Sequence, residues 1–278
     1  MASVTVPEKV VTFVVDVLGS SPVWTFPFSG LGGVPLALAS TCDDALVVKH
    51  AVDGMPREKL AAEINLWRKV SHLSGLAHVR AADINIAAVA FDVAHTDPDA
   101  VWDGTMWAKA DTILTSINTV DGTGLTQVTD WAAFRDRGEA GKVAAFALCE
   151  PKMAQTMLDC SSQLRAWPPA GQVVSHCDTH PGNWVLTADG PVLLDVAHLA
   201  FAPPGFDQVF LAAHLPIEPR LRATWLDLAG VNRDVALTVT GAVALRLAVG
   251  MFHEDRAWQH FCHTALPAAF GLLQELQQ

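Results

Sequence analysis

The sequence is 278 residues long, with 51% hydrophobic and 17% charged residues, a composition that indicates a globular protein and excludes an intrinsically disordered one. Its formal net charge of −11 argues against binding to nucleic acid or to an anionic membrane, because both favour basic surfaces. The same charge favours a cationic partner. Five scattered cysteines without CxxC spacing indicate reduced thiols, and no secretion signal is evident, so we expect a cytoplasmic protein.

The first third of the chain is predicted to be rich in β-structure, with one helix. Two extended runs within residues 23–40 flank a glycine-rich turn, and ALVVKH at 45–50 is typical of a strand. A helix is expected over 56–73, with Pro56 in its first turn. A buried strand over 84–94 follows, and proline and aspartate residues just beyond it indicate a domain boundary near residue 95.

The remainder of the chain is predicted to be mainly helical. A helix over 152–167 ends at two prolines, and residues 206–278 again have helical patterns. Three short extended segments lie between these regions, at 172–176, 184–187 and 191–195. The last two are joined by a hairpin turn. The apolar run 235–252 is long enough to raise the question of a membrane span, but it contains Arg246 and therefore predicts a buried core helix.

A polar loop with the sequence SHCDTHPGNWVL lies between a predicted strand and the hairpin. Nitrogen and sulfur are the preferred ligands of zinc, so one interpretation is a zinc site formed by His176, Cys177 and His180. That interpretation lacks a fourth ligand at a recognisable spacing. We therefore expect His176 to be a packed residue that supports the loop, and Cys177 to be a small residue that fills space.

The oxygen donors of this region predict a different chemistry. Asp178, Asn183 and Asp195 cluster around two strand ends, and Mg²⁺ binds oxygen ligands. Phosphoryl transfer also needs a lysine that reaches the nucleotide phosphates and an acid that holds this lysine. Lys49, at the end of a predicted strand, and Glu63, beside the buried face of the predicted helix, meet these needs. Ordinary turn residues and an ordinary surface ion pair are the alternatives.

The spacing His-x-Asp-x-x-x-x-Asn, followed twelve residues later by an aspartate, resembles the aminoglycoside phosphotransferase and choline kinase family. HCDTHPGNWVL is similar to that family's HGDLHPGN loop, and LLDVAHLAFAPPGFD is similar to its second metal-binding segment, with Asp207 at a later helix-start aspartate. The resemblance covers about residues 20–215. It implies an α+β, two-lobed protein-kinase-like fold. We expect a small β-rich N-lobe with one helix at 1–95 and a larger, mainly helical C-lobe at 96–278.

The resemblance also implies a role for each site residue. Asp178 is the catalytic base or hydroxyl-orienting carboxylate, and Asn183 and Asp195 hold Mg²⁺. Lys49, paired with Glu63, contacts the α- and β-phosphates of ATP or GTP. The glycine-rich turn and the strand before the boundary supply further nucleotide contacts, from Ser29, Gly30, Gly32, Gly33, Ala90, Asp92 and Val93. The turn has the sequence GLGGVP rather than a full GxGxxG, so its cover of the phosphates differs in detail.

These residues together imply a Mg²⁺- and nucleotide-dependent kinase of a small-molecule hydroxyl group. We expect an antibiotic phosphotransferase that acts on an aminoglycoside or another cationic antibiotic, as a monomer or weak dimer that binds neither nucleic acid nor membrane. Acidic residues of the helical lobe are candidates for holding substrate cations, namely Glu218, Asp227, Glu254 and Asp255. A metabolite kinase for choline, a sugar or an amino alcohol is one alternative. A catalytically silent, nucleotide-binding pseudokinase is another.

Overall fold

The computed structural model of the chain describes residues 6–29, 35–51, 57–130, 134 and 138–278. The chain forms two compact units. The first comprises Met1–Ala100 and Val185–Ala197, and the second comprises Val101–Trp184 and His198–Gln278. The first unit is rich in β-structure and the second is mainly helical, which confirms the predicted α+β class. The first stretch of the first unit ends at Ala100, and its second stretch, Val185–Ala197, contains most of the hairpin.

The first unit is built on an antiparallel five-stranded sheet with the order β1-β2-β3-β5-β4. Its strands are β1 (Val23–Ser29), β2 (Pro35–Ser40), β3 (Ala45–His50), β4 (Val79–Asp83) and β5 (Ala88–Asp92). The strand predicted over 84–94 is confirmed only in part, as β5, because residues 84–87 form a turn with Ala87 at a φ of +50°, and β4 before this turn is not predicted. β4 has no buried residue, so it lacks the apolar pattern by which a strand is recognised.

Two helices pack on this sheet, where the sequence predicts one. They are α1 (Glu8–Leu18) and α2 (Arg57–Val70). α1 escapes prediction because its many valines are β-branched and favour strands. Val10 and Val14 nevertheless lie one helical turn apart, and both are buried in a core cluster with Leu46 and Val48 of β3. The sequence of α1 is therefore amphipathic at the helical period although its composition favours a strand.

The hairpin joins the first unit through backbone hydrogen bonds. Its strands are β7 (Trp184–Thr187) and β8 (Gly190–Leu193). The amide of Leu193 donates to the carbonyl of Gly75, and the carbonyl of Leu193 accepts from the amide of Ala77, both at 2.9 Å. These bonds join segments more than a hundred residues apart. They explain why Asp195, two residues beyond β8, belongs to the same unit as Lys49.

The second unit is mainly helical. Its helices are α3 (Gly104–Ile117), α4 (Gly138–Leu148), α5 (Pro151–Arg165), α6 (Phe206–His214), α7 (Pro219–Leu228), α8 (Arg233–Gly250) and α9 (Arg256–Leu276). Two short antiparallel strands, β6 (Val173–Ser175) and β9 (Ala200–Ala202), accompany them. α5 and β6 lie where the sequence predicts a helix and an extended segment.

α8 is the core helix of the second unit. It packs against α4, α5, α6 and α9, and most of its residues are buried around its whole circumference. It approaches α5 closely because Gly241 has no side chain, since a Cβ there would lie 2.6 Å from Sγ of Cys160. The prediction of a buried core helix over the apolar run is thus confirmed. Among the described residues, no helix combines the length and the apolar character needed to cross a membrane.

Candidate active site

Lys49 is the centre of a polar cluster in the first unit. Its Nζ lies 2.7 Å from the Glu63 carboxylate and 3.2 Å from Oδ2 of Asp195, and it donates a hydrogen bond to each. The predicted pairing of Lys49 with Glu63 is confirmed. The contact with Asp195 joins residues that are 146 positions apart in the chain. We call these three residues the Lys49 cluster.

The surrounding elements fix this cluster in place. Lys49 is only 8% exposed on β3, which lies between β2 and β5 in the sheet. Glu63 lies on the buried face of α2, one turn before Trp67. The Trp67 indole Nε1 donates to Oε1 of Glu63 at 3.4 Å, and its ring packs edge-on against Phe91 at 5.1 Å. The Glu63 carboxylate is therefore held by the lysine and by the indole.

The charges of the Lys49 cluster do not balance. Two carboxylates surround one ammonium group, which leaves a formal charge of about −1 when all three groups are ionised. Burial lowers the pKa of Lys49, but the carboxylates of Asp195 and Glu63 more than offset this, so that its pKa lies above its ordinary value. The ammonium group therefore stays charged, and the cluster can still accept a further positive charge.

Asp195 has a backbone conformation that suits a short polar side chain. Its φ of +48° lies in the left-handed region, which aspartate tolerates better than most residues. Its Oδ1 accepts a hydrogen bond from the Ala197 amide at 2.9 Å, which closes a local turn. The side chain is 38% exposed, so the carboxylate is accessible to a ligand.

Asp178 lies on a loop of the second unit that a buried aspartate holds in place. The carboxylate of Asp207 is 1% exposed and accepts hydrogen bonds from the amides of His176, at 2.6 Å, and Cys177, at 2.7 Å. The hydroxyl of Thr179 donates to the Asp207 carbonyl at 2.8 Å. His176 is fully buried, and its Nδ1 accepts from the Asp178 amide at 3.3 Å. His176 is thus a packed residue that supports the loop, as predicted.

Cys177 occupies a position that favours glycine. Its φ is +64°, a left-handed conformation that residues with a Cβ adopt at a cost of roughly 1–2 kcal/mol. Only glycine avoids this cost, because the penalty arises from the Cβ that cysteine shares with larger residues. Its side chain is fully buried, and burial raises the pKa of the thiol well above its ordinary value. A thiol that stays protonated is a poor zinc ligand.

Asn183 closes the loop around Asp178. Its Nδ2 donates to the Asp178 carbonyl at 2.6 Å and also lies 3.4 Å from Oδ2 of the same residue. The amide nitrogen therefore faces Asp178. The carbonyl Oδ1 is the atom of this side chain that is suited to a cation, because a cation binds oxygen and not an amide nitrogen.

Three basic side chains face the Asp178 carboxylate. Nη1 of Arg246 lies 3.8 Å from its Oδ1, and Nε2 of His180 and of His198 lie 3.8 Å and 3.9 Å from its Oδ2. We call these four residues the Asp178 cluster. Burial raises the pKa of Asp178, but Arg246 and then His180 and His198 outweigh burial and hold this pKa below its ordinary value. The carboxylate is therefore ionised, as a residue that orients a hydroxyl group must be.

The sequence analysis does not identify Arg246 as a site residue. Its guanidinium carbon lies 5.7 Å from the ring centre of Phe134, 5.4 Å from that of Phe210 and 5.1 Å from that of Trp258. Beyond its charged first turn and two threonines, the helix that carries it is apolar, and this contrast is the signal in the sequence. A charged residue in a buried helix is costly unless it has a partner or a function.

The other predicted nucleotide contacts are only partly described. Ser29 ends β1 opposite Pro35 of β2. The three predicted glycines of the turn, Gly30, Gly32 and Gly33, lie outside the described residues. The structure therefore describes the strand that leads to this turn and the strand that leaves it.

The predicted contacts on β5 have different environments. Ala90 is fully buried and pairs with Val48 of β3. Asp92 ends the strand, and its Oδ1 accepts from Nε of Arg80 at 2.8 Å. Val93 follows directly and is half-buried. The side chain of Asp92 is thus engaged with a neighbouring strand.

The acidic residues proposed to hold substrate cations are far from equivalent. Glu218 and Asp255 are N-caps of α7 and α9, and each carboxylate accepts from two backbone amides. Asp227 and Glu254 are exposed. Glu218 and Asp255 therefore stabilise helix starts. Within the described residues, none of the four acidic residues makes an ion pair with the Asp178 cluster.

Asn183 and Asp195, the residues predicted to hold Mg²⁺, carry oxygen donors of the kind that this cation prefers. Within the part of the chain that the structure describes, no group of three or more His, Cys, Asp and Glu side chains is arranged to hold a metal ion. Asn183 and Asp195 each offer an oxygen, and Mg²⁺ often binds one or two protein oxygens together with phosphate groups and water. Such a metal site needs no dense cluster of protein ligands.

The fold is that of kinase-like phosphotransferases. A spectinomycin phosphotransferase solved with ADP and spectinomycin has a TM-score of 0.68 at 12% identity, over 97% of this chain and 99% of that one. The choline kinase LicA from Streptococcus pneumoniae has a TM-score of 0.59 at 15% identity, over 96% and 99%. APH(2")-IIia, solved with GDP and kanamycin, has a TM-score of 0.63 at 13% identity, over 98% and 99%.

The chain belongs to the phosphotransferase enzyme family, APH, whose model matches residues 86–237. The matched region contains the Asp178 loop, Asn183 and Asp195. The family that the catalytic segments resemble is thus confirmed. No curated protein matches the chain.

Proposed function

We propose that the protein is a kinase that transfers the γ-phosphoryl group of a nucleoside triphosphate to a hydroxyl group of a small molecule. One observation carries this proposal, namely the hydrogen bonds from Lys49 to both Glu63 and Asp195. Phosphoryl transfer requires a fixed lysine beside the nucleotide phosphates and a carboxylate that binds the metal. The Lys49 cluster supplies both groups from segments that are distant in sequence.

In this proposal, Lys49 binds the α- and β-phosphates and Glu63 keeps the lysine in position. Asp195 and Asn183 each contribute an oxygen to Mg²⁺. The bound Mg²⁺ neutralises charge on the phosphate groups. The net negative charge of the Lys49 cluster supports this assignment, because a divalent cation compensates it.

Asp178 orients the acceptor hydroxyl and accepts its proton. It is suited to this task because Arg246 and two histidines keep it ionised while Asn183 and the buried Asp207 fix its backbone. Little covalent chemistry falls to the protein in phosphoryl transfer, so the rate depends on positioning and on charge. The presence of Asp178, together with the hydrogen bonds from Asn183 and to Asp207 that hold its loop, argues against a catalytically silent pseudokinase.

ATP or GTP is the proposed phosphate donor. The nucleotide ring would lie against β5 near Ala90, Asp92 and Val93, and backbone amides of the turn after Ser29 would cover the phosphates. The N-lobe thus serves the nucleotide and the C-lobe serves the acceptor. A cytoplasmic location, where nucleoside triphosphates are available, accords with this function.

An antibiotic is the first acceptor class to test, since solved proteins of the same fold include spectinomycin and kanamycin complexes. The net charge of the chain favours a cationic compound among the antibiotics. A metabolite that carries a hydroxyl group is the second class, because a choline kinase has the same fold.

The proposal is tested by incubating the protein with Mg²⁺ and ATP or GTP and a panel of antibiotics and metabolites. Nucleotide consumption identifies an active pair, and mass spectrometry of the acceptor detects the mass of one added phosphate. We expect transfer to at least one hydroxyl compound, which requires both the metal and Lys49. Binding of neither nucleotide in the presence of Mg²⁺ would contradict the proposal.

A further inference from the structure

Arg246 has a guanidinium group whose orientation is fixed by rings. Phe134, Phe210 of α6 and Trp258 of α9 each place an aromatic ring 5.1–5.7 Å from its central carbon. Such cation–π contacts attract the guanidinium to the faces of the rings. Gly250, one helical turn beyond Arg246, leaves room for both Cys262 and Trp258, because a Cβ there would overlap the Cys262 sulfur and lie 2.8 Å from the indole Nε1.

Within the part of the chain that the structure describes, the donor groups of Arg246 are not used in hydrogen bonds. Its contact with Asp178, at 3.8 Å, is an ion pair and is too long for a hydrogen bond. Within the described residues, the guanidinium makes no hydrogen bond. A guanidinium has five N–H donors in a planar fork, which matches the two oxygens of a carboxylate or phosphate. A fixed, partly exposed fork with unused donors is a binding group for an oxyanion.

The charges around Arg246 are also unfavourable for a cation. Asp178 is the only carboxylate within ion-pair distance of Arg246 among the described residues, and His180 and His198 face the same carboxylate. The Asp178 cluster thus has a charge of zero or above. A cationic acceptor would meet Arg246 with no additional described carboxylate to hold it.

We propose that Arg246 binds an anionic group of the acceptor, so that the acceptor is a hydroxyl compound that also carries a carboxylate or a phosphate. This inference rests on the proposed kinase function and names the class of its substrate. The net charge of −11 of the whole chain, in contrast, favours a cationic acceptor. The charges near Arg246 determine which acceptor binds, because at physiological ionic strength charges more than about 8 Å away are largely screened.

Acceptors matched in size test this inference. Glycerate, glycerol and 3-amino-1,2-propanediol share a three-carbon skeleton with an anionic, a neutral and a cationic substituent. Glycerol 3-phosphate adds the phosphate form, while spectinomycin and kanamycin represent cationic antibiotics. With the wild-type protein, Mg²⁺ and ATP or GTP, we expect the acidic compounds to accept phosphate with the highest kcat/KM. A preference for an amine-bearing acceptor, or no transfer to any acidic compound, would overturn the inference.

Substitutions at Arg246 then link this preference to the guanidinium. Arg246→Met keeps an unbranched apolar stem among the three rings, and we expect it to reduce kcat/KM for acidic acceptors about 100-fold. Arg246→Lys keeps the charge without the fork, and we expect a loss of about tenfold, mainly in the KM of the acceptor. Arg220→Met, an exposed arginine of α7, is the matched control and should not alter KM. Unchanged KM values for acidic acceptors in both Arg246 variants would overturn the inference.

The two proposals fail in different ways. Nucleotide affinity of each variant, measured without any acceptor, reports on the proposed kinase function alone. A protein that binds Mg-nucleotide through Lys49 but phosphorylates only amines remains a kinase and lacks the proposed anion site. A protein that binds no nucleotide contradicts both.

Discussion

The Lys49 cluster and the Asp178 cluster both pair a cation with carboxylate, but they hold the cation in different ways. Lys49 donates hydrogen bonds to Glu63 and Asp195 at 2.7 Å and 3.2 Å. Arg246 lies 3.8 Å from Asp178, makes no hydrogen bond within the described residues, and is held by aromatic rings. Among the described residues, the lysine donors are used in hydrogen bonds and the arginine donors are not, which is why we assign the latter to a ligand.

The two clusters differ in formal charge and should therefore bind ligands of opposite charge. The Lys49 cluster contains two carboxylates and one ammonium group, so it suits an added cation such as Mg²⁺. The Asp178 cluster contains one carboxylate, one guanidinium and two histidines, so it suits an added anion. Nucleotide binding and acceptor choice should therefore respond to different substitutions.

The largest expected effect within the Lys49 cluster comes from Lys49→Met. The substitution leaves Glu63 buried beside Asp195 without a counter-ion, and breaking a buried pair in this way costs about 3–5 kcal/mol. We expect a lower stability in urea unfolding and a nucleotide affinity at least about tenfold weaker, measured by titration. Lys59→Met, on the exposed face of α2, is the control. Wild-type nucleotide affinity in Lys49→Met would show that the lysine does not bind phosphate.

Asp207→Ala should remove the support of the Asp178 loop. It leaves the buried amides of His176 and Cys177 without an acceptor, at a cost of about 1–3 kcal/mol for each. We expect reduced stability in urea unfolding and reduced phosphate transfer. Asp207→Asn, which keeps one acceptor oxygen, should lie between the alanine variant and the wild type. Equal stability of all three proteins would show that these two hydrogen bonds do not support the loop.

His214 makes stability depend on pH. Its ring stacks on Phe210 at 4.5 Å, and burial lowers its pKa from 6.5 to about 3. The folded state therefore disfavours the protonated form, so stability is fully present above pH 6.5 and is lost as pH falls towards 3. This loss amounts to about 2 kcal/mol between pH 7 and pH 5.

His214→Phe removes the titrating group and keeps the ring stack. We expect the free energy of unfolding of this variant to change less between pH 7 and pH 5 than that of the wild type. The comparison is made by urea unfolding at both pH values. An identical pH dependence in the two proteins would show that His214 is not the group responsible.

The smallest effect is expected for Gly250→Ala. Its added Cβ would overlap Sγ of the buried Cys262 and lie 2.8 Å from Nε1 of Trp258, so both side chains must shift and the ring contact with Arg246 is disturbed. We expect the KM of the acceptor to rise about two- to fivefold, since a cation–π contact is weakened while the guanidinium remains. Nucleotide affinity should stay unchanged. A simultaneous fall in nucleotide affinity would show that the substitution disturbs more than this ring.

The sequence predicts the family and the pairing of Lys49 with Glu63 better than the elements around them. Asp178, Asn183 and Asp195 have the spacing on which the resemblance to the family depends, and Lys49 is paired with Glu63 as the position of Glu63 beside the apolar stripe of α2 predicts. The chemistry restricts both residue type and distance at these positions, so a single sequence is informative.

Long-range contacts limit the rest of the prediction. α1 is not predicted because its β-branched valines favour a strand, and β4 is not predicted because it has no buried residues and so no apolar pattern. From the sequence, Arg246 serves only as an argument against a membrane span, because the three rings that hold it come from segments separated by up to about 120 residues. The capping roles of Glu218 and Asp255 likewise appear only once the helix starts are known.

The most direct test of the account compares Asp178→Asn with Asp195→Asn in one transfer assay and one nucleotide titration. We expect Asp178→Asn to lose at least about 100-fold in kcat, as expected for the loss of a general base, while its Mg-nucleotide affinity stays near that of the wild type. Asp195→Asn should lose phosphate transfer and should also bind Mg-nucleotide more weakly. Asp159→Asn, an exposed aspartate of α5, is the control. Near-normal turnover in Asp178→Asn would contradict the central claim that this carboxylate activates the acceptor hydroxyl.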